Sequence, residues 1–116
     1  MFRPIAFPAM LALLLGACLG PSRTAGPPAH DDLGDADAAM AARAMQETLE
    51  NVPDRQTLGW RNQTSGFGGS YRPYRTYVSS AGLFCRQYTE ELLRDGQKST
   101  FRHEACRAED GSWVWL

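Results

Sequence analysis

The chain has 116 residues, with 12 Lys and Arg against 13 Asp and Glu, for a formal net charge of -1. That length allows one small domain, and the near-neutral balance excludes the broad electrostatic footprint of a nucleic-acid binder. Beyond Cys18 every aromatic residue lies at or after Trp60, so the core is expected in the C-terminal half.

Residues 1–17 read as a secretory signal. Arg3 and the amino terminus form a positive n-region, and residues 5–15 form an apolar stretch. It falls short of the roughly 20 residues a membrane-spanning helix needs. Leu15-Gly16-Ala17-Cys18 resembles the lipobox of bacterial lipoproteins, which implies a diacylglyceryl group on the Cys18 thiol and cleavage just before it. The alternative is an ordinary signal peptide with a chance cysteine. Acyl chains at roughly 0.8 kcal/mol per buried CH₂ anchor stably when two or three are combined. Leu19 implies sorting to the outer membrane, since an aspartate there would favour inner-membrane retention.

Residues 18–34 are expected to be the lipidated cysteine and a flexible tether, because a Pro, Gly and acidic composition without apolar period cannot order itself. His30 beside Asp31 and Asp32 is a weak metal pattern, and solvated linker residues are the better reading. A domain is expected over residues 35–116. It opens with an alanine-rich helix capped by Asp35 or Asp37. The apolar stripe Ala41, Met45, Leu49 and Val52 suits packing on a sheet, and Pro53 ends the helix.

From Gln56 onward, short strand-like runs alternate with turn signals, which predicts a meander of four to five antiparallel strands and an α+β fold class. Asp95-Gly96 and Asp110-Gly111 are hairpin signals for type I′ turns. If Asp95-Gly96 is a two-residue loop, Arg94 faces Gln97, and nine positions further out Cys85 faces Cys106. Alternation of bonded and non-bonded pairs puts the cysteines in a non-hydrogen-bonded pair, with Cα atoms about 4.5 Å apart. A disulfide tolerates that spacing, and an exported chain meets oxidising conditions. One cysteine is thus assigned to lipid and two to a cross-strand staple. The same register sets Phe84, Tyr88 and Leu92 with Ala105, His103 and Phe101 on a mostly apolar face for the helix to cover. Gln87, Thr89 and Glu91 share the opposite face. His103, opposite Tyr88, is expected to be hydrogen-bonded at the core edge, and Glu90 and Glu91 to point to opposite faces.

The sequence "WRNQTSGFGGSYRPYRTY", with "FCRQYTE" and "ACRAEDGSWVW", resembles the C-terminal domain of the 17 kDa outer-membrane surface antigen family. The matching positions are Trp60, Asn62 and Gly66; Pro73, Arg75, Thr76 and Tyr77; Cys85, Arg86 and Tyr88; and Ala105, Cys106, Arg107, Asp110, Gly111 and Trp113. The resemblance runs from about Met45 to the C-terminus. It implies an outer-membrane location and no enzymatic role. This chain carries a Pro/Gly/Asp tether where many family members have a glycine zipper, and Gln63 where a proline is common.

No catalytic motif, cofactor signature or metal-ligand set stands out. The richest ligand surface is Tyr71, Arg72, Tyr74, Arg75 and Tyr77. Arginines among tyrosines suit an anionic glycan, a lipid headgroup or a peptidoglycan carboxylate, and equally suit a cross-strand ladder. Tyr71, Arg75 and Tyr77 are expected on one side of the strand, and Arg72 and Tyr74 on the other. Pro73 marks an edge or a bulge. The expected role is therefore a non-enzymatic envelope lipoprotein held by a lipid anchor, with its domain in the periplasm or at the cell surface. Peptidoglycan or another envelope component is the expected partner. The second reading is a periplasmic binding module such as a lysozyme inhibitor.

Overall fold

The computed structural model describes residues 28–116. The expected signal, Cys18 and most of the tether lie outside the described residues. A short 3-10 turn at Pro28–His30 precedes one helix, α1 (Asp35–Asn51). Five strands follow: β1 (Leu58–Arg61), β2 (Gly68–Val78), β3 (Phe84–Arg94), β4 (Gln97–Arg107) and β5 (Trp113–Trp115). They form one antiparallel sheet in the order β1-β2-β3-β4-β5, the α+β meander that the turn spacing predicts.

The helix buries Ala41, Met45 and Leu49, the predicted stripe, and adds Thr48 and Asp37 to it. Val52 is the half-buried C-cap rather than part of the helix. Gly34 occupies the N-cap, and Asp35 and Asp37 fall in the first turn, where their charges still meet the positive helix end. Met45 and Leu49 pack with Tyr71, Tyr88, Ala105 and Trp113 to form the core. Trp60 lies over Gly69 so closely that a Cβ there would come within 2.6 Å of the indole nitrogen and of Glu91 O.

The β3–β4 hairpin turns through Asp95 at φ 50° and Gly96 at φ 75°, the positive pair a type I′ turn needs. Arg94 pairs with Gln97 and Cys85 with Cys106. The two cysteines are bridged, with Cα atoms 4.0 Å apart. No bulge interrupts this ladder, and the register argument holds along its whole length. The bridge lies on the face opposite α1, in a row of paired residues running Tyr77, Cys85, Cys106 and Val114. Replacing both cysteines with serine should lower stability by about 2–4 kcal/mol, read from urea denaturation. An unchanged midpoint would contradict a structural role for the bridge.

The second turn differs from expectation. Arg107 pairs with Trp113, so Asp110-Gly111 sits in a five-residue loop rather than a tight hairpin. Only Gly111 has positive φ there, at 86°, whereas a type I′ turn needs two such residues. Asp110 is instead held by accepting bonds from the Ser112 backbone N–H at 2.9 Å and the Ser112 hydroxyl at 2.6 Å. Phe84 also departs from its expected environment. It shares the helix-side face, but α1 ends before covering it, and it is 61% exposed.

Candidate interaction surface

Three polar clusters tie α1, or the segment just before it, to the sheet, and they include the motif residues Asn62, Thr76 and Arg86. The first closes the helix C-terminus. Arg86 lies on the helix side of β3, and its neutral neighbours there cannot satisfy its charge. All five of its N–H donors find acceptors. Nη1 donates to Thr48 O at 2.9 Å and Leu49 O at 3.0 Å. Nη2 donates to Val52 O at 2.7 Å and Asp54 Oδ1 at 2.9 Å, and Nε donates to Thr76 Oγ1 at 2.9 Å. Thr48 O also accepts from the C-cap Val52 N at 3.1 Å, but carbonyls at a helix end otherwise lack intrahelical partners, and a cation at the negative helix end is favoured. Thr76 in turn donates to Asp54 at 2.9 Å. Burial pushes the Asp54 carboxyl up, but the bonds from Arg86 and Thr76 outweigh it and hold the group below the usual range.

The second cluster secures the other end. The Asp37 carboxylate accepts from Asn62 Nδ2 and from Ser65 Oγ, both at 2.8 Å. Asn62 also accepts from Thr64 N at 3.0 Å, which is an Asx turn. The β1–β2 loop is thereby fastened to the first turn of α1. This explains the spacing of Asn62 and Ser65 after Trp60.

The third cluster is the least expected. Glu90 is fully buried on the helix-side face of β3 and accepts hydrogen bonds from two imidazoles. His103 Nε2 lies 2.8 Å from Glu90 Oε1, and His30 Nε2 bonds Glu90 Oε2. For both to donate, each imidazole must carry its proton on Nε2. The Tyr71 hydroxyl lies 3.5 Å from His30 Nε2. Burial drives the Glu90 carboxyl up, but the hydrogen bonds from His103 and His30 overcome it and bring the group down to about 2. Burial, reinforced by the Glu90 charge, pushes the Tyr71 phenol far above its ordinary range.

His30 is therefore not solvated in a linker. It is 8% exposed, and Asp32 beside it pairs with Arg94 of β3. The ordered unit accordingly begins before Asp35. The polar composition of this stretch conceals that one buried carboxylate is enough to dock it. His103 is hydrogen-bonded at the core edge as expected. Glu90 and Glu91 point to opposite faces as expected.

The predicted ligand surface is divided by a β-bulge. The β2–β3 register shifts between Pro73 and Arg75, leaving Tyr74 as the extra residue. Before the bulge, Tyr71 faces the helix and is completely buried. After it the phase is reversed, so Arg75 and Tyr77 point away from the helix with Arg72. Tyr71 thus leaves the proposed surface, because one inserted residue exchanges the faces of everything beyond it. Pro73 marks the bulge. On this open face Arg75 stacks over the Tyr77 ring, 4.8 Å from its centroid, and the Tyr77 hydroxyl donates to Glu104.

Arg102, not singled out from sequence, joins this face. Arg72, Thr89 and Arg102 form one row across β2, β3 and β4. A depression of about 310 Å³ beside them is lined by Tyr74, Gln87, Arg102 and Glu104, and also by His103, Trp115 and Leu116. Among the described residues, Arg72, Arg75 and Arg102 are not ion-paired with a carboxylate. The register that aligns the cysteines also aligns Arg72's partner Thr89 with Arg102, so this signal was present in the spacing.

Such an arrangement is a small helix-on-sheet module, stapled by a disulfide, with one face covered and one face offered to solvent. The profile described as 17 kDa outer membrane surface antigen matches residues 47–114, and the chain belongs to that family. The 17 kDa surface antigen of Rickettsia prowazekii (strain Madrid E) is 35% identical over 77 residues, covering 66% of this chain and 48% of that protein. The proteins of the same description from Rickettsia conorii and Rickettsia rickettsii are each 35% identical over 81 residues, covering 70% of this chain and 51% of theirs. The chain spans about half the length of these curated relatives. No solved structure matches it.

Proposed function

We propose that this chain is a non-enzymatic lipoprotein of the bacterial outer membrane, anchored through Cys18, whose domain serves a structural or interaction role in the cell envelope. The observation that carries the reading is the sequence Leu15-Gly16-Ala17-Cys18 ahead of a domain of the outer membrane surface antigen family. The open face supports the interaction role. It presents Arg72, Arg75 and Arg102 beside Tyr74, a combination suited to anionic envelope components through bidentate and stacking contacts.

In-cell photocrosslinking tests this reading. A photoreactive residue replacing Tyr74, on the open face, should give a discrete adduct in the membrane fraction. The same residue replacing Glu47, on the outer side of α1, should give none. Cys18→Ser should move the protein out of the membrane fraction. Equal labelling from both sites, or full membrane retention of Cys18→Ser, would contradict the proposal.

A further inference from the structure

The two flanks of the sheet are finished differently. On the β1 side, β2 continues beyond its last paired residue, Tyr71. That stretch carries Pro73 and the bulge, and Arg55 N donates to Pro73 O at 2.7 Å. These features block further strand pairing. On the opposite flank β4 is 11 residues long, but β5 has three and pairs only with Ala105, Cys106 and Arg107. Residues 97–103 of β4 carry no bulge and no proline, and among the described residues no strand pairs with their outer side.

The direction of the free groups follows from the ladder. Arg94 and Gln97 flank a two-residue turn and form a hydrogen-bonded pair, so Gln97 points its backbone groups at β3. Alternation then turns the N–H and C=O of Lys98, Thr100 and Arg102 outward. Leu116 N donating to Glu104 O at 2.9 Å continues the same phase. The side chains of those three outward residues lie on the open face, and two of them are cationic. Ser99, Phe101 and His103 lie on the helix-side face, where Phe101 is half-buried and stacked against His103, with ring centroids 6.2 Å apart.

We infer that the outer edge of β4 over residues 97–103 is a strand-addition site for an extended acidic peptide segment of a partner protein. Backbone pairing to Lys98, Thr100 and Arg102 supplies the binding, as in β-augmentation generally. Acidic side chains at alternate positions meet Lys98 and Arg102, whereas an apolar residue on the other face extends the surface begun by Phe101. Lys98 is only loosely occupied, with Glu91 at 3.8 Å and both side chains well exposed. Charge selects against a second copy of the chain. Antiparallel self-pairing centred on Thr100 would set each Lys98 opposite an Arg102, and like charges directly opposite are destabilising.

The test is an amide-resolved NMR titration of the disulfide-bonded protein at low salt, using a synthetic peptide of alternating glutamate and valine. The control is the same peptide with lysine for glutamate. The glutamate peptide should bind at least about tenfold tighter and slow hydrogen exchange at the amides of Lys98, Thr100 and Arg102. The double variant Lys98→Glu, Arg102→Glu should reverse the preference while leaving the fold intact. Three results would overturn the inference. One is no binding by either peptide, and another is binding that shifts Arg72 and Arg75 without protecting the β4 amides. The third is protection of those amides by protein concentration alone, which would make a second copy the partner.

Discussion

Glu90→Ala should lower the stability of the domain by about 3–5 kcal/mol, the range for removing one partner of a buried charge network. The carboxylate is completely buried and its two oxygens are divided between His30 and His103. Truncation would leave both imidazoles facing a cavity, with Tyr71 beside them. Glu90→Gln separates charge from shape, because its amide oxygen still accepts from one imidazole while its NH₂ confronts the other. It should cost less than alanine but remain clearly destabilised. The pH dependence follows from the folded carboxyl being held at about 2 against an ordinary value of 4.5. A lowered folded value means that the unfolded chain takes up the proton first. The stabilisation is therefore complete above the ordinary value and is lost as pH falls from there toward about 2. The span corresponds to about 3 kcal/mol. Urea denaturation should show the difference between wild type and Glu90→Gln constant at neutral pH and shrinking between pH about 4.5 and 2. A difference independent of pH would mean that the charge does not stabilise the fold.

Arg86→Met should cost a similar amount, about 3–5 kcal/mol, although for a different reason. Its ion pair with Asp54 is partly solvent-exposed and contributes little by itself. The loss comes from the Leu49 and Val52 carbonyls, which would lose their Arg86 donors, while Thr48 O would keep only the bond from Val52 N at 3.1 Å. Asp54→Ala should consequently cost less than about 1 kcal/mol, and Arg86→Lys should rescue only part of the methionine defect, since an ammonium cannot reach five acceptors in one plane. Equal effects of Arg86→Met and Asp54→Ala would show that the ion pair, rather than helix capping, is what matters.

How much of this was legible from sequence depended on which residues carried a periodic signal. Asp95-Gly96 defines a turn of known length, and side chains alternate with a period of two. The cysteine pairing and both faces of β3 and β4 follow from those two facts. The same alternation, followed through, puts Arg86 and Glu90 on the face of Tyr88, within a face expected to be mostly apolar. Their partners could not be located by period. The Arg86 acceptors are carbonyls at the end of a helix, and one Glu90 donor is a histidine 60 residues away in a stretch that composition marks as a linker. The bulge at Tyr74 was half-visible in Pro73. Its consequence, that Tyr71 is buried away from Arg75 and Tyr77, depends on which side of the proline the extra residue falls. Asp110-Gly111 shows the converse limit, because the dipeptide signals a turn without stating how long the loop will be.

The most direct measurement is the intact mass of the protein purified from native membranes, before and after reduction and alkylation. We predict a chain beginning at an acylated Cys18, with two further thiols, those of Cys85 and Cys106, appearing only on reduction. A mature chain without lipid, or one in which Cys85 and Cys106 alkylate without reduction, would contradict the account.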